Sequence, residues 1–191
     1  MTTVRAPEVP KFTYQDYLLL PDDGKRYQII EGEVYIVPAP GPNHQRVVGI
    51  LHSLLRAFVT VHALGEVFLA PCDVVLSQED VVQPDLFFIS KGRRHLITEK
   101  NISGAPDLVI EILSPHTEKL DRTLKRKLYA KYGVPEYWLV DPVAKTVEIL
   151  ALRGEVYTRT GLFGVEDELR SPLLGGPLGP VSEVFSEIET A

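Results

Sequence analysis

Glu111 lies in "PDLVIEILSP", residues 106–115, among Leu108, Val109, Ile110, Ile112 and Leu113. A strand this apolar reads as covered on both faces, where a bare ionised carboxylate is very costly. The chemistry that would justify it is cation binding, provided that a second carboxylate faces it. Two aspartates offer themselves, because "QPDLFF" and "APDLVI" each place Pro-Asp-Leu at a strand start. Asp107 shares a face with Glu111 but is four residues away, roughly 13 Å at about 3.3 Å per residue. That is too far to share one Mg²⁺, whose oxygen ligands sit at about 2.0–2.1 Å. Asp85 opens the preceding strand, and if that strand runs antiparallel beside 107–113, its start lies next to the other's end. Facing carboxylates repel unless a cation or a shared proton intervenes, so Asp85 and Glu111 point to a divalent metal.

A third member comes from "SPHTEKLDRTLKRKLYAKYG". Leu120, Leu124 and Leu128 recur at four-residue steps, with Ser114 or Thr117 as N-cap and Gly133 just past the end, which makes a helix. At about 100° per residue, Asp121, Lys125, Leu128 and Tyr132 fall within the arc from Leu120 to Tyr129 that faces the protein. Lys125 is therefore expected to point inward, with Lys127 as the fallback, whereas Arg122 and Arg126 face outward. An inward lysine beside two carboxylates can be a buried ion pair, including one with Asp121, or it can orient a water and stabilise developing negative charge.

These residues need elements to hold them. "FTYQDYLLL" reads as a short helix capped by Thr13 and ended by Pro21. "RYQIIEGEVYIVPAP" reads as a hairpin around Glu31-Gly32-Glu33. Between Pro42 and His62, Val47, Val48, Leu51, Leu54, Leu55, Phe58 and Val59 make the clearest amphipathic helix of the N-terminal half. "EVFLA", "DVVLS", "PDLFFIS", "VPEYWLVDP", "KTVEIL" and "GEVYTRT" are of strand length, residues 90–105 are a polar connection, and the Gly- and Pro-rich tail leaves room only for a short final helix. Tyr137 and Trp138 read as core, and Cys72 as a small buried hydrophobe.

Composition limits the class. With 191 residues and 45% hydrophobic, one domain is expected, with residues 1–41 as an extension, 42–141 as the core and 142–191 as a hairpin and tail. No apolar run reaches about 18 residues and "MTTVRAPEVPKF" lacks a signal-like apolar core, so the expectation is a soluble, cytoplasmic protein without membrane contact. The single Cys72 excludes an internal disulfide and a cysteine zinc cluster, leaving oxygen or imidazole ligands for any metal. A net charge of -6 argues against a protein that coats nucleic acid, although a local basic patch such as "KGRRH" is compatible with it.

"QPDLFF" followed by "APDLVIEILSPHTEKLDRTLKRKLYAKYGVPEYWLVDP" closely resembles the Uma-two family of restriction endonucleases, a branch of the PD-(D/E)xK nuclease superfamily. The resemblance extends more loosely to "FTYQDYLLLP", "YQIIEGEVY" and His44. It implies an α/β (α+β) restriction-endonuclease-like core of order α-β-β-β-α-β: helix 43–62, a strand near 66–70 or 73–77, strands 86–89 and 107–113, helix 117–132 and strand 135–140, with a mixed central sheet flanked by helices. It also implies Mg²⁺- or Mn²⁺-dependent hydrolysis of phosphodiester bonds in DNA, a homodimer, and Asp85, Glu111 and the Ile112 carbonyl as metal ligands.

Two departures stand out. The superfamily's lysine would fall at 113, where this chain has Leu113, and the corresponding lysine of this family is Lys125. The family's hairpin glutamate is Gln28 here, which carries no charge; Glu31 is a nearby substitute. Gln28, Glu31, His44 and Asp121 are therefore accessory candidates, with His44 equally readable as a helix cap. Gln28, Leu113 and the acidic balance also motivate a second reading, a catalytically inactive module of the same fold that binds nucleic acid or protein.

Overall fold

The computed structural model describes residues 10–188; the stretch 1–9, part of the segment read for a targeting signal, lies outside the described residues, as do 189–191. Thr13 caps α1 (Tyr14–Tyr17) in a reciprocal capping box with Asp16. The strands β1 (Arg26–Ile30) and β2 (Glu33–Val37) form the expected hairpin. Its two-residue turn has φ of 55° at Glu31 and 79° at Gly32, the primed geometry that matches strand twist. The helix α2 (Pro42–Val61) follows, with Pro42 in its first turn and Val47, Val48, Leu51, Leu55 and Val59 buried.

Next come β3 (Gly65–Leu69), β4 (Val74–Ser77), β5 (Asp80–Val82) and β6 (Leu86–Ser90). Residues 90–105, expected to be a plain connection, contain a 3₁₀ turn (Lys91–Leu96) and β7 (Ile102–Ser103). After β8 (Leu108–Ile112), the expected regular helix is instead α3 (Glu118–Leu120), a π turn (Asp121–Lys125) and α4 (Arg126–Lys131). The chain continues through β9 (Glu136–Asp141), β10 (Thr146–Arg153) and β11 (Val156–Phe163). The tail, expected to hold only a short helix, forms a hairpin of β12 (Glu168–Ser171) and β13 (Gly176–Pro180) before α5 (Val181–Val184). Pro and Gly depress strand propensity in "GPLGP", so the pattern was not visible. Buried Glu136 holds this hairpin by accepting from the Trp138 indole at 2.8 Å, the Ser171 hydroxyl at 2.6 Å and the Leu173 amide at 3.0 Å.

The six-stranded sheet runs β11-β10-β9-β8-β6-β3, with β8 antiparallel to β6 and parallel to β9. Helix, three strands, helix, strand is therefore the order α2, β3, β6, β8, α3 to α4, β9. The segment at 65–69, and not 73–77, supplies the first core strand, because β4 joins β2, β1, β5 and β7 in a second sheet. Strand β8 is covered on both faces, as its sequence demands. Leu108, Ile110 and Ile112 pack with the buried stripe of α2, while Val109 and Leu113 pack with Phe87, Leu128, Tyr129 and Tyr137. Cys72 is half-buried at the edge of the latter cluster. No helix among the described residues is long and apolar enough to cross a membrane.

Candidate active site

Glu111 shares the second of these faces. The register Leu86↔Ile110, continued by one residue, sets Asp85, which precedes β6, across from Glu111. The Ile112 amide donates to Asp85 Oδ2 at 2.9 Å. Asp107, one full strand length away, instead caps the other end, accepting from the Ser90 amide at 2.8 Å and from Arg93 at 3.1 Å. The "KGRRH" segment is thus spent partly on structural pairs, since Arg94 also meets Glu66 at 2.6 Å.

Across the face lies the π turn. Both Asp121 and Lys125 point inward from it and are buried, as the regular wheel already placed them. Lys125 Nζ lies 3.0 Å from Glu111 Oε1 and 3.0 Å from Asp121 Oδ1. The Tyr129 hydroxyl donates to the same Glu111 oxygen at 2.7 Å, and the Tyr137 hydroxyl donates to the Asp121 carbonyl at 3.1 Å. Lys127 is exposed, so it is not the inward cation. Arg126, expected to face outward, is half-buried and donates to the Tyr157 carbonyl at 2.9 Å.

From the start of α2, His44 reaches over the strand ends, and its Nε2 lies 3.0 Å from Asp85 Oδ2. Its Nδ1 is buried without a hydrogen-bond partner. The Arg26 guanidinium is 3.8 Å from Asp85 Oδ1. A cleft of ≈970 Å³ opens above these groups, and Arg26, His44, Asp85, Glu111, Asp121 and Lys125 all line it. Arg26 and the Tyr129 contact with Glu111 were not read as site features; both depend on which strands and helices end up adjacent.

Not every candidate joins this group. Glu31 is exposed in the hairpin turn, where its amide donates to Asp80 Oδ1 at 2.7 Å, and it does not line the cleft. Alternation puts Gln28 on the same face of β1 as Arg26, but it is fully buried and neither side-chain atom has a hydrogen-bond partner. Such an amide costs its desolvation without recovering it. Gln28→Met is therefore expected to stabilise the protein by about 1–3 kcal/mol, measured by denaturant unfolding; a lower midpoint would show that the amide is engaged.

The charges sort the roles. Burial pulls the Lys125 pKa down, but Glu111, Asp121 and Asp85 together more than offset it and the pKa ends raised, so this lysine stays a cation at neutral pH and is no base. Burial pushes Glu111 up, and Asp121 and Asp85 add to this against Lys125, leaving it at about 7. Burial also acts on Asp85, yet the hydrogen bond and charge of His44, with Lys125 and the Ile112 amide, hold it below the usual carboxylate value. As the acceptor, ionised Asp85 assigns the proton to His44 Nε2.

An under-compensated pair of carboxylates fits a hard divalent cation such as Mg²⁺ or Mn²⁺. Among the described residues no group of three or more His, Cys, Asp or Glu side chains forms a metal cage. Two side chains would then leave the remaining positions to backbone oxygen, water or substrate, which is ordinary for Mg²⁺.

A family model described as Uma2, "Putative restriction endonuclease", matches residues 14–178. Among solved structures, a chain from Anabaena variabilis described as "a putative nuclease belonging to DUF820" shares the fold, with a TM-score of 0.75 at 23% identity over 92% of this chain and 98% of that chain. Comparison with curated proteins finds no match.

Proposed function

We propose, since the chain belongs to the Uma2 family described as "Putative restriction endonuclease", that it is a cytoplasmic endonuclease hydrolysing phosphodiester bonds of DNA with Mg²⁺ or Mn²⁺. The observation that carries this reading is the convergence of Asp85, Glu111 and Lys125 on the floor of one cleft. Asp85, Glu111 and the Ile112 carbonyl would hold the metal. When bound, it supplies Lewis-acid stabilisation of the charge that develops on the phosphoryl group.

The remaining work falls to this chain's own residues. Lys125, held by Glu111 and Asp121, presents a fixed positive charge to the attacking water and the equatorial oxygens. Tyr129 fixes the Glu111 carboxylate by its 2.7 Å hydrogen bond, so that the pair is pre-positioned. His44 and Arg26 do the same for Asp85 and add donors at the cleft wall.

Asp85→Asn tests this directly. It is expected to abolish both calorimetric Mg²⁺ binding and Mg²⁺-dependent nicking of plasmid DNA, and equal nicking by variant and wild type would sink the assignment. Leu113, buried where the superfamily places its lysine, favours the second reading of a binding module without catalysis. Under that reading the wild type shows no Mg²⁺ binding that depends on Asp85 and Glu111.

A further inference from the structure

The floor of the cleft is recessed. The side chains of Glu111 and Lys125 are each 3% exposed, and that of Asp85 is 7% exposed. Two segments line the cleft beside it. One is the segment from Pro38 to Pro42, stiffened by Pro38, Pro40 and Pro42. The other is the turn after β9 that carries Pro142, Val143 and Lys145. Asp141 Oδ1 braces this turn by accepting from the amides of Val143 and Ala144, both at 2.9 Å. Val143 is left 88% exposed at the rim, and Lys145 has φ of 52°.

The cleft's ≈970 Å³ is at the upper end of small-molecule pockets, which span about 300–1,000 Å³. A continuous duplex presents each phosphate with its partner strand alongside, across grooves of about 6 and 12 Å. To lower one such phosphate onto a floor whose side chains are only 3–7% exposed, a duplex would have to bring its partner strand with it into a cleft of ≈970 Å³. Nor does a chain of net charge -6 offer a long basic track to hold a duplex in place. A lone strand has neither difficulty. It can bend to deliver one phosphate to the floor, lay flanking bases on the apolar Pro38, Pro40, Pro142 and Val143, and offer neighbouring phosphates to Arg26, Arg46 and Lys145.

We propose that the cleft takes unpaired DNA, a single strand or a melted segment, and rejects a continuous duplex, with Val143 and Lys145 contacting nucleotides beside the scissile one. This rests on the nuclease reading and names its substrate class. The test uses the full chain with a labelled single strand, the blunt duplex made from it, and that duplex with a central unpaired bubble. Cleavage with Mg²⁺ or Mn²⁺ is expected to be at least about 100-fold faster on the single strand and at the bubble than on the blunt duplex, commensurate with the cost of unpairing. Fluorescence anisotropy without metal should show tighter binding of the single strand than of the duplex. Lys145→Ala should weaken single-strand binding and lower its salt slope by about one, and Val143→Ser should weaken it at every salt concentration. Duplex cleaved as fast as single strand, or variants that bind like wild type, would overturn this proposal and leave the nuclease reading standing. Absence of cleavage on all three substrates would overturn both.

Discussion

Glu111→Gln is expected to lose metal-dependent cleavage by about 10³-fold or more while gaining stability at pH 8. Under the proposed function, the first effect follows from removing a charged group that would hold the metal, a loss of several kcal/mol of transition-state stabilisation at about tenfold per 1.36 kcal/mol. The second follows from linkage. The folded-state pKa of Glu111 is about 7, above its ordinary 4.5, so the folded protein holds a proton that the unfolded chain has already released. The raised pKa contributes stability that is fully present below pH 4.5 and is lost as pH rises through about 7. At 1.36 kcal/mol per pKa unit, the wild type should fall by about 3 kcal/mol relative to the glutamine variant across this window. Denaturant unfolding of both proteins from pH 4 to 8 measures the difference directly. A flat difference would show that Lys125 fully compensates the carboxylate.

Lys125→Met should do the opposite to stability. It leaves Glu111, Asp121 and Asp85 buried together without their central cation, and removal of one partner from a buried pair costs about 3–5 kcal/mol. The wild-type lysine has a raised pKa, so its contribution is complete below its ordinary value of 10.5 and is present at both pH 5 and pH 8. In the variant the carboxylates must take up protons to remain buried, and the loss is expected to be larger at pH 8 than at pH 5. Cleavage should vanish as well. Lys125→Arg separates the two roles, because a guanidinium restores charge but not the compact ammonium geometry. It should recover part of the stability and little of the cleavage. Recovery of both would make Lys125 a general electrostatic anchor with no positioning role.

Much of this constellation was legible in the chain. Two strand starts, each marked Pro-Asp-Leu, and a single carboxylate in an apolar run pair Asp85 with Glu111 and set Asp107 aside once the two strands lie antiparallel side by side, as β6 and β8 do. The helical wheel turned Asp121 and Lys125 inward. It could not show the π turn, since the same residues suit an α-helix. His44 and Arg26 are the clearest cases of what spacing withholds. One opens a helix and the other a strand, and either place has an ordinary local explanation. Only the fold, which sets the starts of α2 and β1 beside Asp85, brings both to it. Glu31 failed to join them for a simpler reason: the hairpin reverses there, and the turn that requires φ of 55° also points the residue away from the cleft.

The Asp80 side chain has a consequence in mechanical terms. Fully buried in β5, it accepts from the Glu31 amide of the hairpin and from Lys131 at 3.2 Å and Tyr132 at 2.5 Å, at the far end of the helix that carries Lys125. The hairpin also bears Arg26, whose guanidinium lies 3.8 Å from Asp85 Oδ1. One carboxylate thus acts as a rivet between the two arms that grip the floor. A load that prises the hairpin outward is therefore expected to reach the helix as well, through a single buried side chain.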